Sequence, residues 1–314
     1  MESLAVQTVP VVSELVDDYL AACAARNLSI ESIKLYRHGL NRFIAFGDVP
    51  ASEIEPRYLR RFIFSMQSDG LSSSTVRDYF GHVKSFLGFL HDEHLISANP
   101  ASKVPQPRKA KKLPRVLSDT QAQALLDTCP DYSWTGRRDK TAIFLLLGSG
   151  IRLAEILRLD LDDINPDAGE LHVVGKGSKE RTVSVDEDVV SVILGWLPIR
   201  LQVLNGKPTN ALFVNRSKRR MGKSFGQTVK NYARSAGFFC TPHTCRHSYA
   251  TDWIRNGGDL QRLKIQLGHS HISMTEKYVH LARKDFQDAA NQYSITKRLR
   301  FDSRQMQFDM GRKS

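Results

Sequence analysis

Glu170-Leu-His-Val-Val-Gly-Lys-Gly-Ser-Lys-Glu-Arg-Thr-Val-Ser-Val185 is the stretch that breaks the otherwise helical character of this chain. Glu170 to Val174 and Arg181 to Val185 alternate polar with apolar side chains and are rich in β-branched residues, as half-buried strands are. Gly175 to Glu180 between them is turn-like, which predicts a hairpin with Lys176 at its tip. Ala211 to Asn215 is a candidate further strand. The remaining segments carry apolar residues at helical spacing, so the expected fold class is mainly α with a small β-sheet.

Upstream of the hairpin, Ser118 and Asp119 are placed to cap a helix running through Thr128, and a buried helix is predicted over about 138–147. Gly148-Ser-Gly150 then turns the chain into another helix from about Leu153, which puts Arg152 at a helix start. Further back, residues 11–95 read as four amphipathic helices. Their apolar faces include Leu15, Tyr19, Leu20 and Cys23, then Ile33, Tyr36, Leu40 and Phe43. A third follows Pro56 with Leu59, Phe62, Ile63 and Met66, and a fourth starts at the hydroxyls of Ser72 to Thr75. Between these blocks, Pro100, Pro105, Pro107 and Pro114 interleave with Lys103, Arg108, Lys109, Lys111 and Lys112, the composition of an extended, semi-rigid basic linker. An ordinary solvated linker has the same composition; its place between two basic domains favours one that tracks phosphates.

At 314 residues the chain is long enough for two domains with a core each. It carries 45 Lys and Arg against 33 Asp and Glu, a formal charge of +12, which suits a polyanionic partner such as nucleic acid. Four scattered cysteines do not form the framework of a small secreted protein, and a reducing compartment is expected. The start lacks the basic and apolar stretches of a signal peptide, and the longest apolar run, Ala142 to Leu147, is far short of the ~20 residues of a membrane helix. Neither export nor membrane insertion is expected.

Six dispersed residues share one chemistry: Arg152, Lys176, His243, Arg246, His269 and Tyr278. Nucleophilic attack on a phosphodiester builds negative charge, and arginine, always charged and planar, can hold two phosphate oxygens. Arg152 and Arg246 suit that clamp. A phenol titrates near pH 10 and needs a base or nearby cations to act as a nucleophile. His243 is the candidate base for Tyr278, since His243 and Arg246 are three apart on one helix face behind Pro242. A leaving oxygen needs a proton, which a lysine on a glycine-flanked hairpin can deliver. Lys176 and Lys179 both fit that part. His269 is placed to donate a hydrogen bond to a phosphate oxygen, and Glu155 to pair with the arginines. His247 and His280 are assigned supporting parts. Singly, each residue has an ordinary structural explanation. A competing metal reading draws on Cys240, His243, Cys245 and His247, but they lack the long loop of structural zinc sites and the His-Glu-x-x-His pattern.

The contexts Gly-Ser-Gly-Ile-Arg152-Leu-Ala-Glu155, Val-Gly-Lys176-Gly-Ser-Lys, His243-Thr-Cys-Arg246-His247, Leu-Gly-His269-Ser and Thr275-Glu-Lys-Tyr278-Val-His280 resemble those of the tyrosine recombinase, or phage integrase, family. The resemblance implies an N-terminal helical bundle at 11–96, a SAM-like core-binding domain, joined by a basic linker at 97–115 to a mixed α/β catalytic domain at 116–293, with a tail at 294–314. It implies cleavage and rejoining of a double-stranded DNA recombination site through a 3′-phosphotyrosyl intermediate and a Holliday junction, with no cofactor, metal or ATP. It also implies a tetramer on two DNA sites, accessory DNA-bending proteins as further partners, and a cytoplasmic, nucleoid-associated setting. The preference for Lys176 over Lys179 comes from the family's Gly-Lys-Gly context. The segment around Lys284 to Tyr293 would dock on a neighbouring subunit. Ser149 stands where the family often has Thr and Cys245 where it often has Leu; neither change removes a reacting group. The early first helix leaves no room for an arm-site domain, an expectation that points to a two-domain Xer-like or mobile-element enzyme. Base-reading contacts are expected from Arg77, Lys84 and the basic run Arg216 to Lys223. The alternative is a catalytically silent DNA-binding protein of the same fold, against which the intact reacting set argues.

Overall fold

A computed structural model describes residues 10–108, 114–175 and 179–282. The chain separates into two compact units, Met1–Lys112 and Leu113–Ser314.

The first unit is helical: α1 (Val12–Ala25), α2 (Ile30–Phe46), α3 (Pro56–Ser68) and α4 (Ser73–Asp92). The side-chain oxygens of Ser29 and Ser72 accept from the backbone N–H groups of Ser32 and Thr75, which would otherwise be unsatisfied in the first turns of α2 and α4. Pro56 opens α3, where its missing N–H costs nothing. The apolar faces meet in an aromatic core, with Phe43 and Phe62 edge-on at 4.9 Å and Tyr19 and Phe86 edge-on at 5.5 Å.

Among its described residues the second unit places three strands among eight α-helices. A capping box of Ser118 and Gln121 starts α5 (Asp119–Asp127). Helix α6 (Trp134–Ser149) begins four residues before the expected position, because Ser133 Oγ accepts from Gly136 N and caps it there. Its buried residues include Ala142, Ile143, Leu145 and Leu146, so it is the core helix, and it stops at Gly150, whose φ of +64° suits glycine. A short helix, α7 (Leu153–Ile156), leads to the antiparallel sheet β1 (Ile164–Asn165), β2 (Glu170–Val174) and β3 (Glu180–Ser184), in the order β1-β2-β3. Leu171 faces Val183 across the hairpin, and both are buried. After the sheet come α8 (Glu187–Leu204), α9 (Phe225–Ser235), α10 (Pro242–Arg255), α11 (Leu260–Leu267) and α12 (Ser273–Leu281). Helix α10 packs on α6, α11 and α12, and α11 packs on β3.

Ala211 to Asn215 is not a strand; it forms only isolated bridges, Asp160 with Ala211 and Val214 with Arg220. The physical reason is that side chains take its carbonyls. Arg200 Nε donates to Ala211 O at 2.8 Å, Trp196 Nε1 to Leu212 O at 2.9 Å and Arg138 Nη1 to Val214 O at 2.7 Å, which leaves too few groups for a ladder. Among the described residues no helix is long and apolar enough to cross a membrane.

Candidate active site

The site is assembled from helix ends in the second unit. Arg152 sits just before α7; its backbone N–H donates to Glu155 Oε2 at 2.7 Å and its Nη1 to Glu155 Oε1 at 2.8 Å. Glu155 is 2% exposed and also receives Nη1 and Nη2 of Arg181, from β3, at 2.9 and 3.0 Å. Burial pushes the Glu155 carboxyl up, but the bonds from Arg181 and Arg152 outweigh it and hold the group below the ordinary glutamate value. Arg181 is further tied to Gln266 O of α11 at 3.1 Å, and the Gln266 amide bridges back to the backbone of Ser184.

Arg246, in α10, is 4% exposed. Its Nη1 donates to Gly150 O at the end of α6 and its Nη2 to Leu267 O at the end of α11, both at 2.7 Å. Terminal helix carbonyls lack intrahelical partners and carry the negative end of the helix dipole, so they suit a buried guanidinium. Burial, with Arg152 adding to it, pulls Arg246 down to about 10, and it remains charged at neutral pH. Arg152 Nη2 reaches the adjacent Gly268 O at 3.2 Å, so both predicted arginines meet the end of α11.

Three imidazoles surround this charge. His269 follows Gly268 and is 7% exposed; its Nδ1 hydrogen-bonds to Thr275 Oγ1 at 2.8 Å, and its ring lies nearly parallel to that of Tyr278, 6.4 Å away. Burial first, then Arg246, Lys277, Arg152 and Arg181, push it down to about 3. His243 keeps one side exposed in the first turn of α10, which Thr241 caps; desolvation of its covered side, then the charges of Arg246, Arg152 and Lys277, lower it. His247, one turn along, is pushed down to about 4 by burial, Lys277, His243 and Arg246. All three are neutral at pH 7.

Tyr278, in α12, is fully buried. Burial raises its phenol, with Arg246 and Arg152 opposing. Its hydroxyl is 2.9 Å from His247 Nδ1. Among the described residues His243, the predicted base, makes no hydrogen bond to it, so the hydroxyl's partner is a residue assigned only a supporting part from sequence. Lys277 Nζ stands 5.0 Å from the Tyr278 ring centroid.

Beside the cluster opens a cleft of about 670 Å³ whose lining includes Arg152, Lys179, Arg181, Lys264 and His269. Among the described residues, a phosphate entering it meets four cations and one carboxylate, that of Glu180. The structure therefore gathers Arg152, Arg246, His269 and Tyr278, with His243 at the edge. Lys176 lies outside the described residues, as do the side chain of His280, the segment 284–293 and the tail 294–314. Sequence reasoning missed Arg181, Gln266 and the contact of His247 with Tyr278. The one available signal was the four-residue step from His243 to His247, which puts both rings on one side of a helix.

The alternative metal set does not converge. Cys240 and Cys245 are buried with their sulfurs 3.6 Å apart, whereas His247 is turned to Tyr278. Among the described residues no three His, Cys, Asp or Glu side chains are arranged to hold an ion. Several of the expected DNA-reading groups have intramolecular partners: Arg77 donates to Pro107 O at 2.8 Å, Lys218 to Leu204 O at 3.4 Å, and Arg220 to Arg158 O at 2.6 Å and to Asp160.

A sequence model described as the Phage integrase family matches residues 115–285. The chain is 32% identical over 276 residues to Tyrosine recombinase XerC of Stutzerimonas stutzeri, covering 86% of this chain and 91% of that protein. It is 29% identical over 292 residues to Tyrosine recombinase XerD of Listeria innocua, covering 90% and 98%. Its fold is similar to the XerH site-specific recombinase bound to palindromic difH substrate, with a TM-score of 0.71 and 22% identity over 91% of this chain and 85% of that one. It is similar, too, to the lambda integrase of a tetramer bound to a Holliday junction, with a TM-score of 0.71 and 13% identity over 87% and 78%. With that family matched over more than half of its length and a relative at 32% identity along most of it, the chain belongs to the phage integrase family of tyrosine recombinases.

Proposed function

We propose that this protein is a site-specific DNA recombinase that cuts and rejoins duplex DNA through a 3′-phosphotyrosyl link to Tyr278 and a Holliday junction. The observation that carries the reading is the convergence, around the end of α11, of two guanidinium groups with a neutral imidazole stacked on a buried phenol. In this reading residues 11–96 are the core-binding domain, 97–115 a linker along the phosphates, and 116–293 the catalytic domain. Four copies act on two DNA sites, with accessory DNA-bending proteins as further partners in the cytoplasm. The relatives named as recombinases, and the lambda integrase tetramer on a Holliday junction, support it.

Arg152 and Arg246 hold the two non-bridging oxygens of the scissile phosphate and offset the charge that builds on them. His269 and the exposed His243 donate hydrogen bonds to the same group. Tyr278 attacks phosphorus, and the 5′ oxygen leaves with a proton from Lys176 or its hairpin neighbour Lys179. The phosphotyrosyl ester conserves the energy of the broken bond, so rejoining needs no ATP, and the fixed guanidinium charge does the work that a divalent metal does elsewhere.

The test is a nicked suicide substrate, on which cleavage traps protein covalently. The parental chain is expected to form an adduct that maps to Tyr278, and Tyr278→Phe to bind the site without forming one. An adduct that persists in Tyr278→Phe, or tight binding with no adduct from the parental chain, would refute the reading.

A further inference from the structure

We infer that His247 is the group that takes the phenolic proton of Tyr278 as the tyrosine attacks the phosphodiester, an inference that rests on the function proposed above. The observation is geometric. Helices α10 and α12 pack together, and of the three imidazoles near the phenol among the described residues, His247 puts a ring nitrogen within hydrogen-bond reach of its oxygen, at 2.9 Å. The two rings are tilted 50° to one another with centroids 5.6 Å apart, so they do not stack, and the contact is made between the ring nitrogen and the hydroxyl. A neutral imidazole nitrogen within hydrogen-bond distance of a hydroxyl is placed to take its proton.

The other two imidazoles are turned to different tasks. His269 presents its face to the Tyr278 ring, 9° from parallel, and commits Nδ1 to Thr275 Oγ1. A ring stacked in that way offers the hydroxyl no lone pair. His243 lies exposed in the first turn of α10 and, among the described residues, makes no bond to the hydroxyl. Its position suits a donor to phosphate.

The charged and titratable groups facing His247 are His243 and Arg246 on its own helix and Lys277 and Tyr278 on α12. Burial first, and then the charges of Lys277 and Arg246, keep His247 neutral, the form able to accept a proton. A phosphate seated against the same cations offsets their charge and raises the basicity of the imidazole when the nucleophile is needed.

In the cleavage step the bond from Tyr278 Oη to phosphorus forms and the bond from phosphorus to the 5′ oxygen breaks. The phenolic proton passes to His247 Nδ1, and the 5′ oxygen takes a proton from the hairpin lysine. Rejoining reverses each transfer, so His247 returns its proton to the departing tyrosine and no oxidant, reductant or hydrolysis is involved.

Single-turnover adduct formation on the suicide substrate tests this, with binding and tryptophan fluorescence confirming that each variant folds. His247→Ala is expected to slow adduct formation by about 10²- to 10⁴-fold, with part of the rate restored by added imidazole. Replacing the 5′ bridging oxygen by sulfur, which removes the need for a general acid, is expected to leave that defect in place. His247→Gln keeps a hydrogen-bonding side chain but cannot take the proton, and is expected to show a comparable loss. A more acidic phenol, 3-fluorotyrosine at 278, is expected to recover rate in His247→Gln, and this arm decides if the alanine variant fails to fold. A rate within about threefold of the parental one in either variant would overturn the inference. So would a defect cured by the sulfur substrate, a loss that imidazole leaves untouched in a folded alanine variant, or no recovery with the fluorinated phenol. Failure of the recombinase reading is separate: the parental chain would then form no adduct, or Tyr278→Phe would form one.

Discussion

Replacing Glu155 by alanine should destabilise the second unit far more than a surface change would. The Glu155 carboxylate is 2% exposed and accepts hydrogen bonds from Arg152 N, Arg152 Nη1, Arg181 Nη1 and Arg181 Nη2. Its loss leaves the Arg181 guanidinium, whose side chain is 13% exposed, beside Arg152 without an anion between them. Removing one partner from such a buried pair costs about 3–5 kcal/mol. With a urea dependence of about 2 kcal/mol per M, the unfolding midpoint should fall by about 1.5–2.5 M. Tryptophan fluorescence is the right assay, because Trp134, Trp196 and Trp253 all lie in the second unit. Glu155→Gln keeps the shape but turns an amide N–H₂ toward a guanidinium, and should cost about 1–3 kcal/mol. The pH dependence has a definite sign. The folded carboxyl titrates below its unfolded value, so its contribution is present above the ordinary glutamate value of about 4.3 and is lost as the pH falls through the folded value. Glu155→Gln should flatten that acid limb. A midpoint shift under about 0.5 M for Glu155→Ala would refute the account of a buried anion holding two arginines.

Gly268→Ala should cost about 1–2 kcal/mol in the same assay, since φ is +63° and a Cβ there would come within 2.9 Å of the Arg181 guanidinium. DNA binding should weaken steeply with salt, losing about 0.9 in the log-log slope for each phosphate neutralised, and a flat response would contradict a basic cleft that grips the backbone.

The four helices of the first unit and the hairpin were legible because each rests on local periodicity and capping chemistry. Ser29, Ser72 and Ser118 cap the helices that follow them. Strand β1, of two residues, leaves no periodic trace, and Ala211 to Asn215 has a strand's composition without its pairing, because helix side chains take its carbonyls. The motif contexts drew attention to Arg152, Arg246, His269 and Tyr278, but the groups that hold them are set by tertiary contacts. Arg181 reads from sequence as one alternate residue of a strand; its bonds to Glu155 and Gln266 bridge 26 and 85 positions. In the same way the bond from His247 to Tyr278 spans 31 positions and depends on how α10 meets α12.

The two arginines of the proposed phosphate clamp also serve as structural caps, and their variants carry both effects. Arg246 satisfies the terminal carbonyls of α6 and α11, and Arg152 satisfies Gly268 O just beyond α11. Carbonyls at helix ends concentrate negative partial charge, so a site built from them holds guanidinium groups in place and tolerates them when buried. The same bonds that fix the two arginines of the proposed phosphate clamp therefore join α6, α7, α10 and α11. An arginine-to-alanine variant removes a clamp and uncaps helices together, and its lost activity is not a measure of phosphate contact alone. Separating the two requires a variant that keeps the caps while removing the chemistry, and Tyr278→Phe is of that kind. Its hydroxyl caps no helix and bonds to His247, so the fold should stay cooperative while the covalent adduct disappears.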